Sequence, residues 1–209
     1  MRLHLNSRSR GVLSVVLTLS VPMLLGVLGG QLDPEPAPVE AVVVPAPEAE
    51  ARVSLEETGW PDDHRGAFLR AVAPDALRSA RQHGGFPSLV MAQAILESGW
   101  GRSRLARAHG NLFGIKGPGV ELPTREGASL HTRATFRVYD SWGASIDDHG
   151  RLLATDARYE GVRAAGDWRD ALAELAPVYA TDPAYETRVA SLIERYELDR
   201  WDARVREGG

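Results

Sequence analysis

Glu97 is the residue of this sequence best placed to move a proton. It lies in the stretch from Pro87 to Gly117, PSLVMAQAILESGWGRSRLARAHGNLFGIKG. Residues 88–96 ahead of it are apolar except for Ser88 and Gln93, so a helix there must be buried nearly all round. Pro87 suits its first position, and Gly99 and Gly101 suit a stop just past Glu97. A carboxylate at that end is pushed toward its neutral form by desolvation and by the negative end of the helix dipole. A raised pKa is what a general acid working near neutral pH requires.

Other side chains, three of them on the same segment, suit the binding of a polar ligand with apolar faces. Asn111 carries both a donor and an acceptor for an amide, and Phe113, Trp100 and Tyr185 offer flat rings for stacking, with core packing as the competing role. His109, His131 and His149 lack metal-binding spacing; we read them as surface or partly buried and expect no metal site and no cofactor. With no Cys in the chain, a thiol nucleophile, a disulfide framework, a thiolate metal site and a lipidated N-terminal Cys are excluded.

These residues need elements to hold them. Phe68, Leu69 and Val72 lead into Pro74, which the pattern predicts to open a helix ended by Gly84 and Gly85. Ser103 starts a short helix, and the loop from His109 to Gly117 follows. Strands are predicted at Val120 to Thr124 and Thr135 to Tyr139, joined by the turn-like Arg125 to Ser129. Ser141 caps a helix with Trp142, Ile146, His149 and Leu153 on one face, and Asp167 caps another through Leu175. Asp182-Pro183 opens a last helix with Val189, Leu192, Ile193 and Tyr196 inside. The expected fold class is α+β, mainly helical with one small hairpin.

Charge divides the chain. Residues 1–30 hold three Arg and no acid, with no charge between 11 and 30, which predicts a membrane anchor or signal peptide; we lean toward a retained anchor with the remainder exported. Residues 31–58, rich in Pro, Ala and Glu, read as an extended acidic linker. Residues 59–201, the expected globular domain, carry 18 basic and 19 acidic side chains, so no basic stripe argues for nucleic acid. Residues 202–209 are expected to be a frayed polar tail.

Several ordered blocks carry a resemblance. Gln93-Ala94-Ile95-Leu96-Glu97-Ser98-Gly99-Trp100-Gly101 and Asn111-Leu112-Phe113-Gly114-Ile115-Lys116-Gly117 are followed by Leu122 to Glu126, Phe136 to Ser141 and Tyr179 to Tyr185. Together they resemble the family 73 glucosaminidases, which cut peptidoglycan, over about residues 62–200. The resemblance implies a lysozyme-like fold, with a helical lobe and a small β-lobe flanking a sugar cleft. It also implies hydrolysis of the β-1,4 bond between N-acetylglucosamine and N-acetylmuramic acid, with Glu97 as general acid.

On the same resemblance Glu126 stands where the family carries a second carboxylate. If Glu126 is remote, the substrate's N-acetyl group can act as nucleophile with Tyr179 near the developing charge. The expected partners are peptidoglycan strands and, through residues 1–30, the membrane; the expected state is a monomer in the bacterial periplasm or cell envelope. Two alternatives share these residues: a lytic transglycosylase acting on the same strands, and a peptidoglycan-binding scaffold without turnover.

Overall fold

The computed structural model describes residues 59–126 and 130–205. The expected anchor and linker, the end of the polar tail and the hairpin tip lie outside the described residues. Among those described, no helix is long and apolar enough to cross a membrane.

Eight helices and one hairpin make up the described chain. Helix α1 runs His64–His83, α2 Pro87–Ser98 and α3 Arg104–His109; strands β1 (Lys116–Glu126) and β2 (Leu130–Phe136) follow. Then come α4 (Trp142–Thr155), a 3-10 turn (Ala157–Tyr159), α5 (Glu160–Ala164), α6 (Trp168–Tyr179), α7 (Tyr185–Arg195) and α8 (Arg200–Ala203). Helix α2 is central: α1, α6, α7 and α8 all pack on it. Nine consecutive residues, Pro87 to Ile95, are buried, as the absence of a polar face requires.

Caps hold where side-chain chemistry demanded them. Ser103, Ser141 and Asp167 each accept backbone N–H groups of the helix they begin. Pro74 departs from expectation. It lies inside α1, whose cap is Asp63 rather than any residue near 74. The buried set Phe68, Leu69, Val72, Ala73, Ala76 and Ala80 runs through it on one face, and that packing outweighs the hydrogen bond a proline withholds.

The last long helix begins at Tyr185, because Asp182 turns its side chain onto the Ala184 N–H at 2.9 Å and closes a turn first. The short elements at 157–164, which periodicity over so few residues could not reveal, bury Tyr159 and Val162.

The end of the expected domain and the first residue of the expected tail are both held in place. Trp201 is buried and stacks on Trp60 with ring centroids 5.5 Å apart. Asp202 accepts from Ser88 N at 2.9 Å and Ser88 Oγ at 2.7 Å, serving the first turn of α2 from a distant part of the chain. Burial pushes the Asp202 carboxyl up to about 6.

Strands β1 and β2 form a two-stranded antiparallel sheet from Val120 opposite Phe136 to Glu126 opposite Leu130, with a register shift between Lys116 and Val120. The second strand thus starts five residues before the expected Thr135 and ends at Phe136. Residues 137–139 leave the sheet to anchor its base: Arg137 N donates to Ile115 O at 3.0 Å and Tyr139 N to His109 O at 3.0 Å. The Arg137 guanidinium and the Tyr139 hydroxyl both reach Asp148 of α4 at 2.6 Å, and Arg151 joins them. These hydrogen bonds hold the Asp148 carboxyl below its ordinary value against the opposing effect of burial.

Candidate active site

Glu97 occupies the last turn of α2, and the chain leaves at once. Gly99 is left-handed, and the non-glycine Trp100 follows at φ 64°. Ser98 Oγ stabilises this exit by donating to Ala94 O and accepting from Gly101 N at 2.7 Å. Gly101 has φ 72°, and a Cβ there would lie 2.7 Å from the Trp142 ring, so only glycine lets the chain pass. The backbone therefore turns away and leaves the Glu97 carboxyl at the end of a buried helix.

The surroundings of that carboxyl come from three helices. Part of the Glu97 surface stays accessible, yet protein atoms crowd it closely enough that desolvation dominates and lifts its pKa to about 7. The nearby Arg188 cation and a hydrogen bond from the Tyr185 hydroxyl act in the opposite direction. Tyr185, buried on α7, also accepts from Gln93 Nε2 at 3.0 Å. Tyr179 ends α6 with its ring 5.6 Å from that of Tyr185. Burial, then the negative charge of Glu97, drives the Tyr179 phenol well above its ordinary pKa. Both tyrosines are therefore neutral donors near neutral pH.

Three of the residues picked from the sequence, Glu97, Tyr179 and Tyr185, come together here. The others divide. Asn111 is buried, and its amide is taken up internally: Nδ2 donates to Ile115 O at 3.0 Å and Arg137 O at 2.9 Å, while Oδ1 accepts from Ile115 N at 3.0 Å. It ties the 111–115 loop to the hairpin base instead of offering an amide to a ligand. Phe113 is also buried, stacked on His149 at 4.0 Å. Trp100 packs edge-on against Phe68 and Tyr196, at 6.1 and 5.1 Å. Glu126 closes β1 opposite Leu130, and its side chain lies outside what is described.

His149 corrects the expectation of a surface or partly buried histidine. It is fully buried, between Phe113 and Tyr179, and neither ring nitrogen has a hydrogen-bond partner. Desolvation lowers its pKa to about 3, so it is a neutral ring in the wall behind Tyr179. Its place at i+3 from Ile146 on an apolar face was the signal for this burial. Arg188, Gln93 and His149 were not among the residues picked for the site. Arg188 carried no periodic signal, because an exposed position on α7 is marked only by what lies opposite. Among the described residues no cluster of His, Asp and Glu could hold a metal ion.

A hollow of about 560 Å³, lined by Phe86, Trp168, Asp199 and Asp202 among others, lies at the opposite end of α2. It contains none of the residues gathered around Glu97.

Comparison with known proteins identifies the family. Residues 73–198 match the profile of the Glucosaminidase family, described as mannosyl-glycoprotein endo-beta-N-acetylglucosaminidase. The exo-glucosaminidase LytG of Bacillus subtilis is 35% identical over 153 residues, covering 67% of this chain and 54% of LytG. A probable N-acetylmuramidase of Lactococcus lactis is 39% identical over 151 residues, covering 65% of this chain and 35% of that protein. The chain thus matches about half or less of the length of these curated relatives. Among solved structures, the catalytic domain of the autolysin Auto from Listeria monocytogenes superposes with a TM-score of 0.63 at 32% identity, covering 71% of this chain and 98% of that one. The glycoside hydrolase domain of FlgJ from Salmonella typhimurium gives a TM-score of 0.54 at 30% identity, covering 68% and 93%. With more than half its length matched to the family profile and its fold shared with solved members, this chain belongs to the glucosaminidase family.

Proposed function

We propose that this chain is a peptidoglycan hydrolase that cleaves the β-1,4 bond between N-acetylglucosamine and N-acetylmuramic acid, with Glu97 as general acid. The observation that carries this is the environment of Glu97: a carboxyl raised to about 7 by burial, beside two neutral tyrosines, at the end of a buried helix. Protonated near neutral pH, it delivers its proton to the glycosidic oxygen as positive charge develops on the sugar ring. Its conjugate base is then steadied by Tyr185 and Arg188. Glu126, at the outer end of β1, is assigned the second carboxylate's role, and Tyr179 stands beside the acid as a neutral hydroxyl. If Glu126→Gln retains activity, the N-acetyl group of the substrate takes that role instead.

Digestion of purified sacculi by the parent and Glu97→Gln tests the acid. The variant is expected to lose about a hundredfold or more in rate, the scale of general acid catalysis; equal digestion would sink the assignment. Mass spectrometry of the products tests the bond. Reducing N-acetylglucosamine ends support the glucosaminidase reading, whereas anhydromuramic ends would mark a lytic transglycosylase. Reducing N-acetylmuramic acid ends would favour a second reading, suggested by relatives named as probable N-acetylmuramidases.

Peptidoglycan lies outside the cytoplasmic membrane, so the activity requires export, and the charge-free residues 11–30 supply the proposed anchor. Recovery of the full chain in the soluble periplasmic fraction alone would rule out a retained anchor. Light scattering of the soluble domain is expected to give a monomer.

A further inference from the structure

Gln93 is fully buried one turn before Glu97 on α2. Its Nε2 donates to Tyr185 Oη at 3.0 Å, and its Oε1 is buried with no partner. A buried amide with one end unsatisfied is a standing cost to the fold, so its engaged end calls for an explanation. Tyr185 supplies one. A phenol has a single proton, and a donor on its oxygen leaves that proton to be given elsewhere. Gln93 and Glu97 lie four residues apart on α2 and so share the face packed by α7, which makes Glu97 the carboxylate to which that proton can be given.

We propose that Gln93 is a positioning residue for the acid: by donating to Tyr185, it commits the Tyr185 proton to the Glu97 carboxylate and opposes the reverse bond, from protonated Glu97 to Tyr185. This rests on the reading of Glu97 as general acid and adds to it a device that limits how far burial can raise its pKa. The order Gln93 to Tyr185 to Glu97 is a one-way chain in which each bond polarises the next. Among the described residues, the other groups that bear on Glu97 are Arg188 from α7, which favours the ionised form, and Tyr179 from α6, a neutral phenol. No ionisable group of α1 or α8 acts on it; Asp202 of α8 is engaged at the far end of α2.

The test is titration of the Glu97 carboxyl, followed by carbon-13 NMR in the full chain labelled at glutamate, with Glu97→Gln assigning the signal. Gln93→Leu and Tyr185→Phe are each expected to move the midpoint to higher pH, by about half a unit to one unit. The double variant is expected to coincide with Tyr185→Phe, because Gln93 acts only through Tyr185. The alkaline limb of kcat/KM for peptidoglycan should move with the midpoint while KM stays constant. A midpoint that is unmoved or falls in Gln93→Leu, or shifts that add in the double variant, would overturn the proposal. Gln93→Met, closer in shape, gives the same reading should the leucine variant fold poorly. Failure of the underlying acid assignment looks different: Glu97→Gln would remain active while the carboxyl shifts still appeared.

Discussion

Arg188 acts on Glu97 from across the α2–α7 contact while pairing with Asp182 at 3.0 Å, so one guanidinium serves both a helix-start turn and the proposed acid. The carboxyl still rises to about 7, which means that desolvation outweighs the cation. Nearly half the Arg188 side chain is exposed, and water screens its charge.

Glu97 is therefore a liability to the fold when ionised. Its folded pKa, about 7, lies above its ordinary value of 4.5. The fold prefers the protonated form, so the group's contribution is fully present below about pH 4.5 and is lost as pH rises through 7. Glu97→Gln is expected to match the parent in stability at pH 4 and to exceed it by about 2–3 kcal/mol at pH 8. Urea unfolding at the two pH values checks this; equal stability at pH 8 would mean that the carboxyl is not desolvated.

Removing the cation should move the acid further in the same direction. Arg188→Met is expected to raise the Glu97 midpoint, and with it the alkaline limb of activity, by up to about one unit. The difference between parent and variant should shrink at high salt, where screening already weakens the exposed guanidinium. A pH–rate profile at low and high ionic strength measures both effects, and a limb that moves to lower pH in Arg188→Met contradicts the arrangement.

Asn111 offers a contrast between holding and binding. Its side chain makes three hydrogen bonds to the backbone around the hairpin base. Asn111→Ala leaves those buried groups unpaired and is expected to cost about 2–4 kcal/mol. KM for peptidoglycan in the folded variant should be near that of the parent. A weakened KM with undiminished stability would return Asn111 to the role of ligand contact.

Much of the fold was legible because its signals are local. The apolar run of α2, Pro87 at its start, and the caps Ser103, Ser141 and Asp167 depend on neighbours within a turn or two. Pro74 and Asp202 were misread for the complementary reason. A proline survives mid-helix when a continuous buried face carries it, and a polar residue of the expected tail is held in place when the first turn of a distant helix needs its carboxylate. Strand limits also moved, because pairing between β1 and β2 decides which residues are extended.

The site shows the same division. That Glu97 would stand at the end of a buried helix, and so be hard to ionise, follows from the order of side chains in residues 87–101 alone, through helical period and desolvation. Which groups meet it does not. Tyr179, Tyr185 and Arg188 lie more than eighty residues along the chain, and only the packing of α6 and α7 against α2 brings them to the carboxyl. The hairpin base and α4 turned Asn111 and Phe113 inward, because an amide and a ring that can serve a ligand serve a loop and a buried histidine equally well. Chemistry carried by one residue type is written locally, whereas the partners that tune it depend on contacts between distant segments, which no local pattern encodes.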